Sequence, residues 1–230
     1  MALKDDLENE VATIFRATWS KRDGYVVPES DDLQLGNDGV KLSAAVMYAD
    51  MADSTQLVDA HTPEFAAEIY KVYLHCAAKI VRAGGGSITA YDGDRIMAVF
   101  IGEDKETAAT RAAMKIECAR TTIIQPALKA QYPNRQYVVR HHTGVDASDL
   151  FVARTGIRGS NDLVWVGRAA NHAAKLTALS ADYPTWITDA VYQKLPENLR
   201  SVGGKAVWEA RSWTDMDKAR IYRSTWHVSI

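Results

Sequence analysis

The chain has 230 residues, 47% of them hydrophobic, with a net charge of -2 and no Lys/Arg-rich run. That length and apolar content suffice for one full core, and the charge balance excludes a nucleic-acid footprint or a basic membrane-binding patch. The acidic N-terminus MALKDDLENEVATIF lacks the apolar centre of a signal peptide, and runs such as IMAVFI are too short to span a bilayer; the expected location is cytoplasmic and the expected partner small.

Residues 4–20 carry an amphipathic helical pattern, and 23–40 are polar and turn-rich, so residues 1–40 read as a helix and connector ahead of a core at 41–195. Residues 42–50 form a buried strand. A helix over 63–82 follows, with Thr62 as N-cap, Pro63 at its first position and Phe65, Ile69, Val72, Cys76 and Ile80 on one stripe. Gly84-Gly85-Gly86 ends it; a strand follows these glycines, so they are no phosphate loop. SITAY and RIMAVFI pair across Asp92-Gly93, a dipeptide favoured in tight hairpins. Then come a helix over 104–122, a strand at 136–142, a pairing of LFVAR with LVWVG, and a helix over 169–179. This βα-ββ-α-ββ-α order predicts an α+β fold, a sheet layered with helices. Cys76 and Cys118 sit inside helical patterns and read as core filler. In the extension at 196–230, Trp208, Trp213, Tyr222 and Trp226 read as core or interface aromatics.

Three clusters carry chemistry. Asp50 closes an apolar run in VMYADMADSTQL and Asp94 follows the hairpin turn, so on neighbouring strands both carboxylates reach one rim of the sheet. Two hard oxygen ligands beside a loop suit Mg²⁺ or Mn²⁺, although Asp is also a common turn residue. Asp53 precedes a short helical segment begun by Ser54 and Thr55, whose free N–H groups suit a polyphosphate; an N-cap role for Asp53 is the plainer expectation. In GSNDLVWVGRAANHAAKL, Asn171 and Lys175 share a helix face with Arg168 nearby, a functional edge or a solvated stripe. Arg140 and His142 alternate onto one strand face and reach either phosphate or surface partners, while adjacent His141 and His142 point apart and make no metal pair.

In order along 42–195, these blocks resemble the class III nucleotidyl cyclases, the adenylate and guanylate cyclase catalytic domain. MYADMADSTQL looks like the family's F-A-D-I-x-G-F-T, YDGDRIMAVF like I-G-D-x-x-M-A-V-F, GVDASDLFVARTG loosely like G-I-x-x-G-x-x-x-A-x-x-G, and VWVGRAANHAAKL like G-x-x-V-N-x-A-x-R-L. The resemblance implies a ferredoxin-like βαββαβ core with a mainly antiparallel sheet. It also implies two divalent cations, Mn²⁺ or Mg²⁺, held by Asp50, Asp94 and the Met51 carbonyl, with Asp53, Ser54 and Thr55 along the phosphates. Asn171 orients the ribose, and Lys175 stands where the family has an arginine. The family's composite sites imply a homodimer, one protomer giving the aspartates and its partner Asn171 and Lys175.

The family's purine-reading positions hold Ala90 and Val164 here, neither able to read a base edge by a strong hydrogen bond. In size and in this loss the chain is similar to the stand-alone pyrimidine cyclases of the bacterial Pycsar antiphage system. Tyr48, Tyr91 and Arg95 are then the candidates around the base, with structural roles as the alternative for Tyr91 and Arg95. The expected reaction is UTP to 3′,5′-cyclic UMP and pyrophosphate; the alternatives are CTP, ATP in an atypical pocket, or an inactive nucleotide-binding module.

Overall fold

The computed structural model describes residues 2–230. Helix α1 (Leu3–Arg16) has no buried residue, and β1 (Ser20–Asp23) lies parallel to the start of β2 (Asp38–Met51). The connector expected at 23–40 therefore gives both its ends to the sheet, and β2 begins ahead of the core start expected at 41. After α2 (Ser54–Ala60) comes α3 (Pro63–Ala83), where Thr62 accepts from the Phe65 N–H at 3.4 Å. Its buried stripe is Phe65, Ala66, Ile69, Tyr73, Ala77, Ile80 and Val81. Val72, expected on that stripe, is 43% exposed, because the stripe continues from Ile69 through Tyr73, four residues on, and leaves Val72 at its margin.

Strands β3 (Ser87–Asp92) and β4 (Arg95–Phe100) pair with Asp92 opposite Arg95, so the turn residues are Gly93 and Asp94, one step later than the dipeptide suggested. Gly93 has φ 62°, a conformation in which glycine carries no Cβ penalty. Helix α4 (Lys105–Ala119) runs on through a π turn at Arg120–Ile124 into α5 (Gln125–Gln131), beyond the expected end. The strand expected at 136–142 is absent over 136–140. There the Gln125 side chain donates to the Tyr137 carbonyl and accepts from the Val139 N–H, standing in for a ladder. Strand β5 (His141–Ile157) starts at His141 and absorbs LFVAR into one 17-residue strand, with β6 (Ser160–Val166) antiparallel beside it.

Next come α6 (Arg168–Leu176), β7 (Thr185–Thr188), α7 (Asp189–Tyr192), α8 (Glu197–Arg200), β8 (Ser201–Val202), β9 (Lys205–Ala206), β10 (Glu209–Trp213) and β11 (Ala219–Ser224). The main sheet has the order β10-β11-β7-β5-β2-β4-β3, antiparallel except for the β5–β7 pair and the added β1. Within it, β2-α3-β3-β4-α4-β5 is the expected ferredoxin-like core, and the last hairpin extends the sheet through β7. Trp208, Trp213 and Tyr222 are buried there. Alternation along β2 separates two layers. Ala45, Met47, Ala49 and Met51 pack with residues of α3 and α4, whereas Ala44 and Val46 pack with Ala169, Ala170 and Ala173 of α6. Among the described residues no helix is long and apolar enough to cross a membrane.

Candidate active site

Asp50 is the last residue but one of β2, on the α6 face, with Arg95 opposite it in β4 and His142 opposite it in β5. The Gly93–Asp94 turn brings Asp94 beside it. Burial, and next the Asp94 charge, push the Asp50 carboxyl up to about 6, and Asp94 Oδ2 is buried without a hydrogen-bond partner among the described residues. A folded chain that keeps two carboxylates in mutual repulsion, one oxygen unsatisfied, has a site complementary to positive charge. Among the described residues no cluster of three or more Asp, Glu, His or Cys side chains could hold a metal, so the pair would need backbone or ligand oxygens to complete a coordination shell.

The rim around the pair is mixed. Tyr48, two residues before Asp50 on the same face, is half-buried and donates its hydroxyl to Met97 Sδ at 3.1 Å. The Arg95 guanidinium lies 5.5 Å from the centre of the Tyr48 ring and pairs with Asp92 at 2.7 Å. Tyr91 is 57% exposed. Asp53 does not cap α2 as expected: it is held left-handed at φ 60°, its side chain makes no cap bond, and Arg140 Nη1 takes its carboxylate at 3.3 Å. Asp is one of the few residues that tolerate this conformation. Arg140 also pairs with Asp182 at 3.2 Å. Arg140 and His142 do not share a strand face, since β5 starts after Arg140. The His142 ring is half-buried, and burial pushes it down to about 4.

Behind the rim is a polar chain that sequence reasoning missed. The Tyr73 hydroxyl lies 3.3 Å from His141 Nδ1, His141 Nε2 meets Glu117 at 2.9 Å, and Arg120 grips both Glu117 oxygens at 2.7 and 2.6 Å. His141 is thus a neutral ring donating from Nε2 and accepting at Nδ1. Burial, then the Asp50 and Asp94 charges, lift the Tyr73 hydroxyl well above its usual range. The available signal was Glu117 and Arg120, an i, i+3 charge pair at the end of α4, where the neighbouring Ile116, Cys118 and Ala119 are apolar.

On α6, Asn171 and Lys175 are exposed, and Lys175 Nζ reaches Met216 Sδ at 3.6 Å. No hydrogen bond or ion pair among the described residues joins either of them to Asp50 or Asp94. The helix is seated by Arg168, which donates to the Ala147 carbonyl at 2.6 Å, and by His172, 3.2 Å from the fully buried Asp146. Asp146 also accepts from Thr188 at 2.5 Å. Val164 points outward from β6, 38% exposed, while Ala90 lies across Met97 from Tyr48 in the sheet. The sequence-derived candidates therefore divide into two groups: Tyr48, Asp50, Met51, Asp53, Ser54, Thr55, Tyr91, Asp94 and Arg95 around the β2 end and hairpin, and Asn171 and Lys175 on α6.

The chain is 49% identical over 231 residues to a uridylate cyclase of Xanthomonas perforans and 48% identical over 232 residues to one of Burkholderia cepacia, covering all of each protein. The chain belongs to the uridylate cyclase family. No family model matches it. Solved cyclase structures share the fold. A bacterial light-regulated adenylyl cyclase superposes with TM-score 0.69 at 18% identity, over 81% of this chain and 52% of that one. The guanylyl cyclase Cya2 gives TM-score 0.68 at 15% identity, over 83% of this chain and 95% of that one.

Proposed function

We propose that the cyclase converts UTP to 3′,5′-cyclic UMP and pyrophosphate at composite sites of a homodimer. The observation that carries the base assignment is the Arg95 guanidinium over the Tyr48 ring, with Arg95 opposite Asp50 in the ladder. An aromatic face stacks on a base, and a guanidinium donates to carbonyls. Uracil offers two carbonyl acceptors, where cytosine offers one and an amino donor. The names of the full-length relatives support the same substrate.

Asp50 and Asp94, with the Met51 carbonyl, would hold two divalent cations, Mn²⁺ or Mg²⁺; the buried unpartnered Asp94 oxygen and the raised Asp50 carboxyl fit that occupant. Such ions supply Lewis-acid activation of the ribose 3′-hydroxyl and neutralise charge on the departing pyrophosphate. In the reaction a bond forms between O3′ and the α-phosphorus, the bond from that phosphorus to the bridging oxygen breaks, pyrophosphate leaves with the electron pair, and the 3′ proton passes to solvent. Asp53, Ser54 and Thr55 line the triphosphate, and Tyr91 closes the outer edge of the base. The partner's α6 presents Asn171 to the ribose and Lys175 to the transition-state charge, as a point cation without the bidentate fork of an arginine. The product would act as a second messenger in antiphage defence.

Parallel incubations with ATP, GTP, CTP and UTP in Mn²⁺, with the cyclic product identified by chromatography and mass, test the assignment. Cyclic UMP is the expected dominant product. Dominant cyclic CMP or cyclic AMP would overturn the base reading, and no cyclic product from any triphosphate would leave an inactive binding module.

A further inference from the structure

Helix α1 is amphipathic with nothing beneath its apolar side. Leu3, Leu7, Val11, Ile14 and Phe15 fall within one helical stripe and are 74%, 50%, 49%, 60% and 85% exposed. A helix of this length is marginal in water without tertiary packing, so the stripe calls for a covering surface. Its own body does not supply one. Asn37 Nδ2 donates to the Ile14 and Ala17 carbonyls at 2.9 and 2.8 Å, pinning the last turn, and Ala17 leaves in extended conformation toward β1. The helix is thereby held at its last turn while none of its residues is buried.

Beside β1 lies an uncovered groove of about 760 Å³, lined among others by Trp19, Tyr25, Phe151 and Val166. Tyr25 is 87% and Val166 55% exposed. The area of the whole chain shows how much surface is left uncovered. It exposes 13020 Å² at 25.4 kDa, whereas a folded monomer of that mass exposes about 10,300 Å². The excess, roughly 2,700 Å² per chain or about 5,400 Å² for a pair, exceeds the ~800 Å² that each partner of a standard complex contributes and is of the size of the largest obligate interfaces. A second copy of this chain, with its own projecting helix and its own groove, accounts for both features at once.

We propose that α1 of each protomer crosses to a second copy of the chain and seats its Leu7–Val11–Ile14 side in that copy's aromatic groove. The inference rests on the homodimer reading above and adds the element that ties the protomers together, at the sheet end opposite Asp50.

The test uses the full chain. Sedimentation of the unaltered protein and of a Leu7→Glu/Ile14→Glu variant is expected to show a dimer for the first and at least a tenfold rise in dimer Kd for the second. A photo-crosslinking residue at Leu7 is expected to give an inter-chain product mapping to the segments around Trp19, Tyr25, Phe151 or Val166. An unaltered chain that sediments as a monomer defeats the homodimer reading itself. A dimer that survives both glutamates unweakened, or crosslinks confined to one chain or to α1 of the partner, overturns the α1 assignment and leaves the homodimer reading standing. The crosslink needs no destabilising substitution, so the result does not depend on the variant's folding.

Discussion

Asp50 and His142 face each other across the β2–β5 ladder and titrate in opposite senses. Asp50 is raised from 3.8 to about 6, so between those values the folded state holds a proton that the unfolded state lacks, and acidification stabilises. His142 is lowered from 6.5 to about 4, so the unfolded state takes the proton first, and acidification destabilises. The two contributions largely cancel between pH 6 and 4. We expect Asp50→Asn to remove the compensation: in chelator its urea midpoint should fall more steeply from pH 6 to 4 than that of the parent protein, while at pH 8 it should be the more stable of the two. Relief of the buried charge, discounted for partial solvent access, is worth about 1 kcal/mol. The variant should lose turnover. Equal pH slopes for the two proteins would disprove the opposed titration. At this scale the carboxylates were legible in the sequence, because a polar residue closing an apolar run stands out. Asp53 was read wrongly: its αL backbone comes from the chain path between β2 and α2, which no local pattern encodes.

Helix α6 depends on one missing side chain. A Cβ on Gly144 would lie 2.2 Å from the Ala173 carbonyl oxygen and 2.7 Å from Leu176 Cβ, so β5 and α6 approach as closely as they do because position 144 has none. Gly144→Ala should push α6 off the sheet, at a cost of about 1–3 kcal/mol. Asn171 and Lys175 ride on that helix, so turnover should fall further than nucleotide binding weakens, as separate measurements of kcat and KM would reveal. Unchanged kcat in a folded, destabilised variant would uncouple α6 placement from chemistry. The elements with strong periodicity, α3, the β3–β4 hairpin and α6, were readable. Strand β5 was not read as one element: Gly144, Asp146, Ser148 and Asp149 interrupt its apolar alternation, and Asp146 is polar because it answers Thr188 and α6. That partner is fixed only by tertiary packing. The short strands after 196 were equally hidden, since β11 is specified by its pairing with β7.

For the molecule as a whole, the lack of a hydrogen bond or ion pair between Asp50 or Asp94 and Asn171 or Lys175 among the described residues sets a test of the composite site. Asp50→Ala and Asn171→Ala proteins, each inactive, should regain activity on mixing once subunits exchange. Random exchange makes half the dimers mixed, each with one intact site of two, so recovery should approach about a quarter of the parent activity. Freely exchanging mixtures that stay inactive would show that one protomer builds its own site. The α+β layering was legible from the succession of elements and the ferredoxin-like order from the family resemblance, whereas the sheet's full extent was not. That extent also bears on synthesis. Strand β5 is central, yet its ladder partner Met51 precedes His141 by 90 residues in the chain. At about 5–20 residues per second, a ribosome takes about 5 to 20 s to make the intervening stretch. Throughout that interval β2 has emerged with one edge unpaired and its apolar faces half covered, the kind of strand that seeks the wrong neighbour. The nascent chain is therefore most exposed to aggregation midway through translation, before the strand that closes its sheet exists.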